Sequence, residues 1–564
     1  MTRPLPPPPP AACPAGVRPA ADADADAPAN RAAPPDQDPA TGPGTAPGHA
    51  AADAQPAPAA SGGCPHAAAP LFHPAYPQPR ANRAGGWRLF FQARHSWLHA
   101  LFERSYRMKM GEVRLFGHPV YMVNEPAWVR HAMVDAVARY PKHRLLGRAL
   151  EPLLGRSIFT TNGALWQRQR RMMDPAFAQA RMAVAFPRML QAGQAMLARL
   201  QALPDGAEPD MEIEMTHVTA DIIFRTILSA PMEGEDARRI FAAFAEFQAL
   251  APRLTLPVVY GLGWLAPLIV PFWQVRRSRR AAAEIRGLLG AIIRPRYDAR
   301  RAADAAAAAS AGDTAARADA APRDILDSLL DARDDAGLPM DFEELLDEVA
   351  MLFLAGHETS ASALTWALHL LANAPEVQRR LADEVDRVLG DREPGPDDLR
   401  ELVFTRQVFR ETLRLFPPVG FFAREAAEDD RMRDKAVPRG ATVTISPWLI
   451  HRHREWWSHP DAFDPDRFDT EAGRASLRHA YLPFGLGPRV CIGANFALQE
   501  ATLLLAMLAR QHRVEPVPGH VPEPVGRLTV RSANGVRLRL WRRRPPAAAA
   551  SEPAQSPAPN PPSP

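Results

Sequence analysis

The stretch Phe484-Gly485-Leu486-Gly487-Pro488-Arg489-Val490-Cys491-Ile492-Gly493 decides how this chain is read. Three glycines and a proline surround a cysteine, and Ala494 to Leu508 continues as an amphipathic helix. The other two cysteines, Cys13 and Cys64, lie in low-complexity sequence. Cys491 is therefore alone in the globular part, with no disulfide framework and no zinc-spaced Cys/His set. A cysteine just before a helix start sits where oriented N–H groups and the helix dipole favour its thiolate. Gly485 and Gly487 permit a tight turn and the close approach of a flat ligand. Arg489 can pair with a carboxylate on that ligand. On composition alone, the same residues read as a glycine-rich loop around an inert core cysteine.

The surrounding sequence bounds the domain. The chain has 564 residues with 67 basic and 63 acidic side chains, a formal charge of +4. That balance gives no dense basic stripe of the kind nucleic acid leaves. Hydrophobic residues make up 46%, enough for a large core. Lys109, Lys142 and Lys435 are the only lysines, and the 60 prolines are about twice the usual share. Residues 1–84 are Ala/Pro-rich, with too few large apolar residues to offset the entropy of ordering, and read as a disordered tail. They lack the apolar core of a signal peptide or an N-terminal membrane anchor. Residues 545–564 read as a second, Pro-rich disordered tail. Residues 85–544 form one large domain, and the low-complexity insert 301–323 reads as an exposed loop.

Leu254 to Trp273 is uncharged and as long as a membrane span, but Pro257, Pro267 and Pro271 with Gly261 and Gly263 would break a helix there. It reads as an apolar loop between helices, touching a membrane surface or covering a pocket. Helix-period apolar residues run over Glu214–Ala230, Ala281–Ile293, Phe342–Ala372, Val377–Leu389 and Arg400–Leu415. Strand signals are short: Gly111–Phe116, Pro119–Val123, Thr442–Ile445 and Val536–Trp541. The fold class is mainly α with small β-sheets.

FGLGPRVCIG resembles the haem-binding loop of the cytochrome P450 family, haem-thiolate monooxygenases, as a bacterial-type soluble member. Three further motifs stand in the family's order. The helix residues Ala355-Gly356-His357-Glu358-Thr359 follow its A-G-x-[D/E]-T pattern. Glu411-Thr412-Leu413-Arg414 is its ExxR pair, three apart on one helix face, and Phe463-Asp464-Pro465-Asp466-Arg467-Phe468 is similar to its PERF-type segment. Trp166 and Arg170 share a face at i and i+4.

The resemblance implies a P450 fold over Gly85 to Arg544 and a haem b cofactor with Cys491 as the axial iron ligand. Phe484 would pack near the ligand loop, and Gly493 would admit the porphyrin. Trp166, Arg170, Arg489 and Arg424 would hold the propionates. Glu411, Arg414 and Arg467 would lock the scaffold, and Glu358 with Thr359 would form an acid–alcohol pair delivering protons. Gly356 costs about 1 kcal/mol against Ala in a helix interior, which passage over bound oxygen would offset. His357 reads as a helix-side histidine outside the site. Arg168 and Arg171 read as solvated or part of a partner face.

The implied activity is insertion of one oxygen atom of O2 into a small apolar organic substrate. No dinucleotide fingerprint or iron–sulfur cysteine set is found. Electrons from NAD(P)H are thus expected through a separate ferredoxin with its reductase, or a flavoprotein, docking on the thiolate side. Cytoplasmic location is expected. A peroxide-driven or isomerising haem-thiolate enzyme, and a non-catalytic haem sensor, are the rival readings.

Overall fold

The computed structural model describes residues 71–82, 96–115, 117–232, 235–259, 272–309 and 323–543. Among them ten helices have eleven residues or more. These are α1 Arg144–Leu154, α2 Gly163–Met173, α3 Gln179–Gln201, α4 Met211–Leu228, α5 Glu235–Val259, α6 Phe272–Ala309, α7 Phe342–Asn373, α8 Pro375–Leu389, α9 Val403–Leu415 and α10 Ala494–Gln511. The strands are β1 Met110–Leu115, β2 His118–Val123, β3 Phe422–Glu425, β4 Asp430–Met432, β5 Lys435–Val437, β6 Thr442–Ile445, β7 His512–Pro516, β8 Pro524–Gly526, β9 Val530–Ser532 and β10 Leu538–Arg542. The order β1-β2-β6-β3 makes one four-stranded sheet, parallel at β2–β6; three antiparallel pairs, β4–β5, β7–β10 and β8–β9, complete the set.

Helix α7 is the axis of the helical part. Asp341 caps it, its carboxylate accepting from the Glu344 N–H at 2.8 Å. Apolar side chains surround the helix on every side, as a central helix requires. From Leu345 to Ala372 every residue is buried except Ala355, Gly356 and Thr359. Those three sit at i, i+1 and i+4, so one short stripe of an otherwise enclosed helix is open. Helix α4 packs along α7, and a Cβ at Gly356 would lie 2.5 Å from Ile223 Cδ1 of that helix. The visible reason for glycine here is this interhelical contact.

Two boundaries differ from the sequence reading. Leu71–Asn82, placed with the tail by composition, packs on the domain. The Phe463 N–H donates to Phe72 O at 2.8 Å, and Tyr76 Oη donates to Asp461 at 2.9 Å. Two aromatic side chains give this proline-rich segment the apolar area that its average composition hides. The insert at 301–323 also begins as helix: α6 runs to Ala309, with Arg301 paired to Asp304 at 2.8 Å and donating to Leu330 O at 2.8 Å. Alanine favours helix there and the i,i+3 pair supports it; residues 310–322 lie outside the described residues, as do 1–70 and 544–564. Of the apolar segment Leu254–Trp273, residues 260–271 likewise lie outside them. Among the described residues no helix is long and apolar enough to cross a membrane.

Candidate active site

The Cys491 loop is closed by its own backbone. The Cys491 N–H donates to Phe484 O at 2.9 Å, and the Val490 N–H to Gly487 O at 3.0 Å. Gly485 and Gly487 have φ of 78° and 72°, conformations open to glycine. At Gly487 a Cβ would also come within 2.3 Å of Met133 O. A Cβ at Gly493 would meet nothing within 4 Å, so that side of the loop faces open space. Phe484 is half-buried against the main core. The sulfur of Cys491 is solvent-accessible, yet surrounding protein raises the thiol above its ordinary pKa. The Gly493 N–H and the Arg170 charge oppose that rise without cancelling it. The thiolate expected from the helix start is thus outweighed by desolvation in the bare protein; a coordinating cation reverses that balance by deprotonating a bound thiol.

Below the loop, Glu411, Arg414 and Arg467 form a saturated buried network. Arg414 makes a bidentate pair with Glu411, both bonds 2.8 Å and both side chains fully buried. Its remaining donors reach His451 O at 2.8 Å, Pro460 O at 2.6 Å and Ala462 O at 2.9 Å. Arg467 adds a 2.9 Å bond to Glu411 and donates to Ser458, His459 and Ala462 carbonyls. His451, unremarked in the sequence, joins this network to the loop. Its Nδ1 is 3.2 Å from Arg414 O, and its Nε2 accepts from the Leu482 N–H at 2.8 Å. Burial lowers its pKa to about 3, so it stays neutral with the proton on Nδ1.

Beside the loop a second set of cations converges on Trp166. Lys142 Nζ and the Arg489 guanidinium each lie 5.6 Å from the indole centroid. The backbone of Lys142 bridges that of Arg424. Arg489 donates to Tyr140 O at 2.8 Å and Val137 O at 3.3 Å, Arg424 to Ala423 O at 3.1 Å, and Lys142 to Thr161 O at 3.0 Å. Among the described residues none of the three is ion-paired with a carboxylate, and Nε of both Arg424 and Arg489 is buried without a partner. Burial, then the two arginines, lowers Lys142 to about 6; burial and Arg489 lower Arg424 to about 10. Lys142 stood out in the sequence only by rarity; the structure places it beside Trp166, Arg424 and Arg489.

Arg170, expected to hold a propionate, donates to Asp174 at 2.6 Å and to Val490 O at 2.8 Å, and its charge also acts on Lys142. It braces the Cys491 loop directly. Arg168, read as solvated or partner-facing, is instead tied to Asp334 at 2.7 Å and Glu344 at 2.6 Å.

On α7, Thr359 Oγ1 donates to Ala355 O at 2.7 Å. Glu358 is buried and accepts from Thr529 Oγ1 at 2.9 Å, and burial raises its pKa. The two are not hydrogen-bonded to each other, because successive helix residues do not face one another. The next residue, Ser360, donates to Glu500 of α10 at 2.5 Å, which ties the open stripe of α7 to the helix that follows Cys491. His357 is a core histidine: Nδ1 is 2.5 Å from Phe353 O, Nε2 is 3.0 Å from Gln248, and burial lowers it to about 4.

A family model described as Cytochrome P450 matches residues 87–535, and the chain belongs to the cytochrome P450 family. It is similar to a cyclooctatin synthase of Streptomyces melanosporofaciens, 36% identical over 72% of this chain and 83% of that protein. It is also similar to a cytokinin hydroxylase of Arabidopsis thaliana, 32% identical over 69% of this chain and 72% of the other. The crystal structure of cytochrome P450DA heme domain superposes with a TM-score of 0.63 at 25% identity, over 78% of this chain and 89% of that one. The protein is a haem-thiolate P450 monooxygenase. The expected cytoplasmic location does not stand. Relatives of comparable similarity include cytochrome P450 4F3 of Rattus norvegicus, 30% identical, and an Arabidopsis thaliana protein whose name is qualified as chloroplastic, 28% identical. Membership in this family therefore does not assign a compartment.

The residues present fit a haem. An accessible sulfur on a loop whose Gly493 face is open can reach a planar metal complex. The orphaned Nε atoms of Arg424 and Arg489, beside Lys142, are suited to a doubly anionic edge.

Proposed function

We propose that this monooxygenase inserts one atom of O2 into a small apolar organic substrate, by hydroxylation or epoxidation, using electrons delivered by a separate ferredoxin system or flavoprotein. Cys491 would bind the haem iron, and Arg424, Arg489, Lys142 and Trp166 would hold the propionates. When bound, haem iron with a thiolate ligand supplies the oxygen-activating chemistry. The protein supplies the rest. Phe484 O and Arg170 fix the loop that presents the sulfur. Ala355 and Thr359, one turn apart, mark the part-exposed stretch of α7 where substrate and O2 would lie. Thr359, its own proton held by Ala355 O, offers lone pairs to a water molecule in that groove. Glu358 holds the exchangeable proton behind it.

The observation that carries this reading is the exposed Cys491 beside cations that, among the described residues, are not ion-paired with a carboxylate. Its test is turnover with NAD(P)H and redox partners under isotopically labelled O2, after a type-I spectral-shift screen of fatty acids, terpenes and steroids. Label in the product is the expected result. Product formed from peroxide alone, with none from O2 and NAD(P)H, would favour the peroxide-driven reading.

A further inference from the structure

The antiparallel hairpin β8–β9 lies against α7, and its placement is fixed through Val530. The Val530 carbonyl accepts from Ser362 Oγ at 2.6 Å and from Trp366 Nε1 at 2.9 Å, while its N–H donates to Pro418 O at 3.0 Å. The tip is closed by the Arg527 N–H on Thr529 O at 2.9 Å. These bonds leave little freedom to Thr529, whose hydroxyl donates to Glu358 Oε1 at 2.9 Å. Thr529 is 3% exposed and Glu358 is 3% exposed, so water does not substitute for this bond at the surface. Two residues on, Arg531 donates to Glu212 at 2.7 Å and to Thr216 Oγ1 at 2.9 Å on α4.

We propose that Thr529 is a positioning residue for the monooxygenase reaction: its hydroxyl, held at the hairpin tip, fixes the carboxyl of Glu358, with Arg531 behind it as a tethered counter-charge. A helix interior offers a glutamate several rotamers, and the Thr529 hydroxyl selects the one that Glu358 occupies. Burial raises the Glu358 carboxyl, and the Thr529 hydroxyl and Arg531 charge both act against that rise. Arg531 does not itself pass protons, since guanidinium does not deprotonate in proteins. Glu212 and Thr216 hold it where its field reaches Glu358. The C-terminal hairpin thereby becomes part of the acid machinery of α7, although about 170 residues of sequence separate Thr529 from Glu358.

The coupling arm of the test rests on the proposed monooxygenase reading, whereas the spectroscopic arm does not. In infrared difference spectra of the haem-loaded protein, the carboxyl band lost in Glu358→Gln identifies this acid. Thr529→Val is expected to shift that band and to lower product formed per O2 consumed by about tenfold, the scale of one hydrogen bond, with the excess O2 released as peroxide. Thr529→Ser is expected to restore both. If Thr529→Val does not retain haem, Thr529→Ala tests the same bond. A Glu358 band that does not move when the hydroxyl is removed would overturn the proposal. If the wild type forms no O2-derived product, the monooxygenase reading fails while a shifted band still upholds the Thr529–Glu358 link.

Discussion

Two cation clusters flank the Cys491 loop, one fully buried and one partly buried, and they are opposites. Arg414 and Arg467 share Glu411, and all five N–H groups of Arg414 are accounted for by Glu411, His451, Pro460 and Ala462. Lys142, Arg424 and Arg489 have no ion-paired carboxylate among the described residues, and two guanidinium nitrogens are orphaned. Buried charge without a partner is costly, so a cluster with its own counter-charge suits a scaffold, while one without a paired carboxylate is suited to an anionic ligand. The ExxR residues and the residues proposed to hold the propionates thus differ in whether a carboxylate pairs them.

The largest effect is expected where the saturated cluster is broken. Glu411→Ala strands two buried guanidiniums, and breaking such a pair costs about 3–5 kcal/mol. The protein should lose haem and most of its thermal stability, read from haem content and unfolding calorimetry. An Arg414→Ala protein with full haem occupancy and unchanged melting would dissolve the contrast between the clusters.

The opposite response is expected from the unsaturated cluster. Arg424→Met or Arg489→Met removes an uncompensated cation, so haem-free stability should hold or rise. Haem affinity should meanwhile fall by about tenfold or more, the loss of a charge-assisted hydrogen bond being worth about 1.5–3 kcal/mol. Titration of apoprotein with haem and denaturant melts of the same samples separate the two effects.

Lys142 sharpens the comparison through pH. Its folded pKa is lowered to about 6, whereas the unfolded chain keeps the proton up to the ordinary lysine value. Between those values the unfolded state binds more protons, so haem-free stability should rise as pH is raised from about 6 towards 10. Lys142→Met should flatten that slope, and so should haem, by pairing the charge. Equal slopes in wild type and variant would remove Lys142 from the cluster.

A smaller effect is expected at the link between the network and the loop. His451→Phe leaves the Leu482 N–H without its buried acceptor, a loss of about 1–3 kcal/mol. It should broaden the haem absorption band by loosening the loop, while Glu411 and Arg414 remain paired.

How much of this was open to sequence reading follows from distance along the chain. The Cys491 loop and the Glu411–Arg414 pair are local patterns, a turn needing glycine and a helix face at i,i+3, so both could be read from neighbours. Thr442–Ile445 was read to the residue because a four-residue buried strand has no room to shift. His451 could not be read, since its partners Arg414 and Leu482 are 37 and 31 positions away. Phe72 and Tyr76 were hidden by the prolines around them. Glu358 and Thr359 are adjacent in sequence but point apart on the helix, and the acid's hydroxyl partner, Thr529, could not be read from its neighbours. Lys142 carried no motif at all, only its scarcity among 67 basic residues.

The central claim is that Cys491 sulfur binds the haem iron, and ligand-field spectroscopy addresses it without a substrate. Purified protein, reduced under carbon monoxide, should show the strongly red-shifted Soret band of a thiolate-ligated complex, and Cys491→His should move it to the position of a nitrogen-ligated one. A wild-type spectrum without that red shift, or a Cys491→His spectrum indistinguishable from wild type, would contradict the account.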